Sequence, residues 1–259
     1  MLLRAIINSI ESVAPLSYQE TWDNSGMQVG DPGTDVRAVL LTTDITESVV
    51  DEAIMRNCQL IISHHPLLFH GLKQVCGQSP QARCVEKAIR HGIAIYSSHT
   101  AMDSYLHGVS GRIAERIGLG DYRILVENGE GYGLGVIGDL PVSIEAEELL
   151  CGIKERMQAP WVRYCAGAKP TVQRIAICGG AGAEFVEAAV AQGADVYLTA
   201  DCKYHEFQAS EGRIWLVDID HWASEHFTRD IFRELLTPLG VECHTSEADR
   251  SPVRLLMNE

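Results

Sequence analysis

The chain has 259 residues, 46% hydrophobic and 22% charged, and its 35 acidic against 21 basic side chains give a formal charge of −14. That is a globular composition with apolar material for one large core or two modest ones, and its acidity argues against nucleic acid as a routine partner, because phosphate backbones are bound by clustered Lys and Arg. The sequence has no run of 18 apolar residues, which excludes a spanning helix, and "MLLRAIINSIESVAP" lacks the apolar core and cleavage site of a signal peptide, so a cytoplasmic protein away from membranes is expected.

The first residues read as an amphipathic helix, with Leu3, Ile6, Ile7, Ile10 and Val13 at helical spacing. "AVLLTTD" (38–44) is a buried strand and 46–57 a helix capped by Thr46. "QLIIS" (59–63) is the next strand. A helix over 79–92 has Ser79 as cap, Pro80 in its first turn and Gly92 as stop. "IAIYSSH" (93–99) is a third strand, with a helix near 109–119 after it. The glycine-rich stretch 126–140 reads as turn-like, and 143–157 as a helix. The alternation then resumes: strand and glycine loop over 172–182, helix 184–193, strand 194–201, helix 204–211, strand 214–220, helix 222–236 and strand 241–246. The expected fold is α/β: two interlinked α/β units with mainly parallel sheets flanked by helices, the first over 1–125 and the second over 126–259. Eight cysteines without a Cys-x-x-Cys are expected to be reduced and mainly buried.

Ligands of parallel α/β sheets sit beyond the carboxyl ends of the strands, and polar residues gather at those ends. His64 and His65 follow one strand, His99 and Asp103 another, Asp201 and His205 a third, and Asp218, Asp220 and His221 a fourth. Any one of these could be a helix cap or a satisfied polar residue; several together indicate a site. His221 and Glu225 lie four apart on one helical face, the spacing of an imidazole and a carboxylate on one metal or of a hydrogen-bonded surface pair. The strand is expected to stop at His64, so that His64 and His65 diverge and can hold two ions about 3.5–4 Å apart. The His/Asp/Glu set suits zinc, iron, manganese or nickel.

Five segments in order, "WDNSGMQVG" (22–30), "SHHPLLFHGLK" (63–73), "SSHTAMD" (97–103), "ICGGAG" (177–182) and "DHWASE" (220–225), resemble the motifs of the NIF-three-like proteins, known as GTP cyclohydrolase 1 type 2 homologues. The resemblance implies two divalent transition-metal ions per chain, held by His64, His65, Asp103, His221 and Glu225, and a homohexamer. Asp220 and Ala200 stand where the family commonly has Gly; Asp220 either hydrogen-bonds His221 or caps the helix. "WDNSG" is a structural turn or a pocket wall, and "CGGAG" could cradle a phosphate.

The function so implied is a metal-dependent hydrolase that opens the imidazole ring of a purine nucleotide. His64 and His221 would serve one ion, His65 and Asp103 the other, and Glu225 both, while His99 or His205 moves protons. The alternatives are a metal-binding regulatory scaffold without activity and a metal-dependent phosphoesterase.

Overall fold

A computed structural model describes residues 1–256. In chain order the elements are α1 (Leu3–Glu11), β1 (Gly26–Val29), β2 (Ala38–Thr42), α2 (Glu47–Met55), β3 (Leu60–Ser63), α3 (Pro80–Arg90), β4 (Ala94–Ser97) and the single turn α4 (Thr100–Asp103). Next come α5 (Val109–Ile117), β5 (Tyr122–Gly129), β6 (Tyr132–Glu145), α6 (Ala146–Arg156), β7 (Val162–Cys165), β8 (Thr171–Ile177) and α7 (Val186–Ala191). The chain closes with β9 (Val196–Thr199), α8 (Tyr204–Ser210), β10 (Trp215–Ile219), α9 (His221–Glu225), α10 (Thr228–Leu236) and β11 (Glu242–Thr245).

Internal contacts gather these into two compact units. Residues 1–102 with 228–250 form the first, and 103–227 with the chain from 251 form the second. This differs from the expected division at 125/126, which would cut β5 in the middle of its pairing with β6. Residues 228–250 return to the first unit for a physical reason: β11 pairs in parallel with β2, and Ser9 Oγ of α1 donates to the Leu235 carbonyl of α10 at 3.0 Å.

The first sheet runs β1-β4-β3-β2-β11, with every pairing parallel except β1 on β4. Alternation along the strands divides its residues between two helical layers. Leu40, Ile61 and Ile95 cluster with Val50 and Ala53 of α2 and Val85 and Ala88 of α3. Tyr96 looks the other way, and its hydroxyl donates to Glu11 of α1 at 3.2 Å. Thr46 and Ser79 cap α2 and α3 as expected, accepting from the backbone N–H of Val49 and of Ala82.

Glu52 ties the returning segment into this unit. It is 5% exposed, and its carboxylate accepts from Ser246 Oγ at 2.6 Å, Ala248 N at 3.0 Å, Glu247 N at 3.1 Å and Arg56 Nε at 2.8 Å. Burial alone would raise its pKa, but these donors prevail and hold it below the ordinary 4.5. A depressed carboxylate stabilises the fold above its unfolded pKa, and that contribution fades as pH falls through the folded value. Glu52→Gln is therefore expected to cost about 1.5–3 kcal/mol at neutral pH. Urea midpoints of the two proteins should converge on acidification; equal midpoints at pH 7 would refute this.

The second sheet runs β5-β6-β8-β9-β10-β7. Only β8–β9 and β9–β10 are parallel, so the sheet is mixed. The stretch read as turn-like is the long β5–β6 hairpin. Its glycines serve close strand approach: a Cβ at Gly133 or Gly138 would strike the backbone of the neighbouring strand. Val136, Ile175, Ile177, Leu198 and Val217 pack against α5 and α6, while Ala176, Tyr197 and Leu216 face α7 and α8. The helix expected over 222–236 is two helices, α9 and α10, with the unit boundary between them. Among the described residues no helix is long and apolar enough to cross a membrane, and all eight cysteines are free thiols, four of them buried.

Candidate metal centre

In the first unit three imidazoles converge at the carboxyl ends of β3 and β4. One ring nitrogen from each of His64, His65 and His99 lies within 4.8 Å of the others. The strand ends at Ser63, as expected, but the adjacent rings do not diverge. They lie 4.9 Å apart, tilted by 46°. Strand alternation no longer applies beyond Ser63, whose hydroxyl turns the chain by donating to the His65 carbonyl at 2.7 Å. The resulting spacing admits one shared ion or two neighbouring ones.

Each ring is oriented through Nδ1. His64, fully buried, donates to the Ser98 carbonyl at 3.1 Å. His65 donates to Asp44 at 2.8 Å and His99 to Asp23 at 2.7 Å. With the proton on Nδ1, the lone pair is on Nε2, the tautomer that a metal ligand needs, and two of the three rings are held by carboxylates. Asp44 and Asp23 orient these rings, and sequence reasoning did not single them out. Asp44 had a usable signal, since it closes "LLTTD" beside the strand that delivers the histidines.

Asp23 also accepts from Thr100 Oγ1 at 2.6 Å, Ser25 Oγ at 2.9 Å and the Asn24 N–H at 2.7 Å. Burial opposes its charge, but His99 and Thr100 outweigh burial and leave its carboxyl far below the usual range. Asp23 of "WDNSG" thus positions His99.

The second unit supplies a second donor pair. His221 opens α9, Glu225 follows one turn later, and His221 Nε2 stands 3.0 Å from Glu225 Oε2. Nδ1 of His221 donates to Asp201 Oδ2 at 2.7 Å. Burial disfavours the charged imidazole, yet Glu225 and Asp201 on its two nitrogens raise it to about 11. The pair offers one nitrogen and one oxygen donor, a set that suits a cation. Asp201 adopts φ +56°, a left-handed conformation uncommon outside Gly, Asn and Asp. Asp220 caps α9, accepting from the Ala223 N–H at 3.1 Å, which decides between its two readings.

Three N–H groups of the glycine loop before α7 are taken up within the protein. The N–H of Gly180 donates to Ser224 Oγ at 2.9 Å, that of Gly182 to Thr199 Oγ1 at 2.9 Å and that of Gly179 to Ser110 Oγ at 3.2 Å. Gly180 has φ +66°, and a Cβ there would collide with Glu225 Oε1. The loop makes room for Glu225. Burial, and then the negative charge of Asp103 and Glu225, push the Cys178 thiol upward, so both carboxylates act on one locality of this unit.

His205 is exposed on α8, with Nδ1 3.2 Å from Gln208 Oε1 and its ring 5.2 Å from that of Tyr204. None of these partners belongs to the donor sets.

Together, fold and donors define an α/β protein with His and Glu groups able to bind a metal. The chain belongs to the Duf34/NIF3 (NGG1p interacting factor 3) family, whose sequence model matches residues 1–252. It is 35% identical over 246 residues to a GTP cyclohydrolase 1 type 2 homolog of Nostoc, covering 93% of each chain. A protein of the same name from Clostridium acetobutylicum is 32% identical over 227 residues, covering 86% of this chain and 85% of that one. A crystal structure of a Staphylococcus aureus hypothetical protein superposes with a TM-score of 0.90 at 26% identity, covering 99% of both.

Proposed function

We propose that the protein is a metal-dependent hydrolase of the GTP cyclohydrolase 1 type 2 kind, opening the imidazole ring of a purine nucleotide. The observation that carries this reading is the set of three Nδ1-anchored imidazoles within 4.8 Å of one another. Neutral imidazoles and carboxylates are the donors that divalent transition metals take, and the space that Gly180 leaves beside Glu225 supports the fit. His64, His65, Asp103, His221 and Glu225 would hold two such ions. When bound, they supply Lewis acidity and lower the pKa of water.

The chain's own part is orientation and proton transfer. Asp44 and Asp201 orient His65 and His221 through Nδ1, and the Ser98 carbonyl does so for His64. His99, held by Asp23 beside two ligand imidazoles, is placed to move a proton at Nε2. His205 gains no such support from its surroundings. The assembly proposed alongside is a cytoplasmic homohexamer.

Elemental analysis of protein purified without chelator should give about two metal ions per chain. Turnover of a nucleotide panel, with product identification, tests the reaction. Absence of metal after reconstitution would remove this reading. Metal without turnover of any nucleotide or phosphoester would favour the regulatory scaffold.

A further inference from the structure

The first unit leaves two large aromatic rings at the surface beside its histidines. Trp22 is 59% exposed and Phe69 40% exposed. Their centroids are 5.9 Å apart in an edge-to-face arrangement, and each lies close to His99, at 6.0 Å and 6.1 Å. A core would normally take up such area, and paired exposed aromatics next to convergent polar groups mark a ligand surface.

The rings are also held in place. Asn24 Nδ2 donates to the Leu68 carbonyl at 2.8 Å, and the Leu68 N–H donates to Gln28 Oε1 at 3.1 Å. Gln28 Nε2 returns to the Asn24 carbonyl at 2.7 Å. These bonds fasten the segment bearing Phe69 to the segment bearing Trp22, and Asp23 between them fastens His99. One short stretch thus sets the mutual geometry of two aromatic faces and an imidazole before any ligand arrives, which lowers the ordering cost of binding.

We propose that Trp22 and Phe69 form the seat of a planar heteroaromatic ring, the base of a nucleotide, and hold it beside His99. The base stacks on the exposed indole face and meets the edge of Phe69. Stacking accepts any π-face, so the seat selects for a flat ring and leaves the choice among bases to other contacts. This rests on the hydrolase reading for the identity of the ligand as a nucleotide.

The test is calorimetric titration of metal-replete protein with GMP, and with ribose 5-phosphate as the ring-free control. Trp22→Ala and Phe69→Ala should each weaken GMP binding by about 5- to 100-fold. Ribose 5-phosphate affinity should stay the same, and Trp22→Phe should restore most of the loss. The seat is refuted if both alanine variants bind GMP like wild type, if the two ligands weaken alike, or if wild type does not prefer GMP. A fall in light-scattering mass for Trp22→Ala would refute it too, assigning the ring to contact between copies. GTP turnover by the same proteins separates the two ideas. Turnover by wild type with unaltered binding by Trp22→Ala removes the seat and leaves the hydrolase. Ring-dependent binding without turnover does the reverse.

Discussion

Glu225→Gln should empty the metal centre while leaving the fold standing. The side chain is 3% exposed and its Oε2 lies 3.0 Å from His221 Nε2, so its neighbours are shaped around its volume, which Gln preserves. Gln does not preserve the negative charge. A carboxylate can serve two ions at once, whereas an amide oxygen is a weak donor and leaves two close positive charges uncompensated. Metal content measured after dialysis should fall steeply, and nucleotide turnover should fall with it by orders of magnitude. The thermal melting profile of the metal-free protein should shift little. If the variant retains its full metal complement, Glu225 is no ligand and the proposed centre is misassigned.

His99→Asn is the complementary experiment, expected to keep the metal and lose about 10²–10⁴-fold in kcat, the range of a general acid or base. Asn can still donate toward Asp23, so the loop that carries it should remain ordered. The ring nitrogen within 4.8 Å of its two neighbours is what disappears. Simultaneous loss of metal would overturn the proton-carrying role and make His99 a ligand.

Much of this arrangement is written locally and some of it is not. The caps Thr46 and Ser79 and the apolar face of α1 act through neighbours in sequence, and the elements they predict form where expected. The four residues of β1 and of β7 carry no local signal, because edge pairing with β4 and β10 makes them strands. In the β5–β6 hairpin, glycines obscure the alternation that a sequence pattern relies on, since the partner strand comes too close for a side chain. The break after α9 lacks Gly or Pro; it occurs where the chain leaves one unit for the other.

The candidate site divides the same way. His64, His65, His99 and His221 were visible as strand-end residues, since the end of a parallel strand is a place that sequence can identify. The carboxylates that orient two of them were less visible, because Asp23 meets His99 from 76 residues away and Asp44 meets His65 from 21. The partners of the glycine loop were hidden for a related reason. Its N–H groups look available to a phosphate until Ser110, Thr199 and Ser224 are brought to them by the fold.

The parallel pairing of β11 with β2 has a consequence for how the chain is made. A ribosome releases β2 early, but its partner on the outer side is encoded more than 200 residues later, after the continuous run 103–227 of the second unit. Throughout that interval β2 presents an open edge, with hydrogen-bonding groups available to any other nascent strand. The second unit has nearly its whole sequence in one continuous run and can fold while the first waits. Deleting residues 242–250 would therefore damage the earliest-made part of the protein.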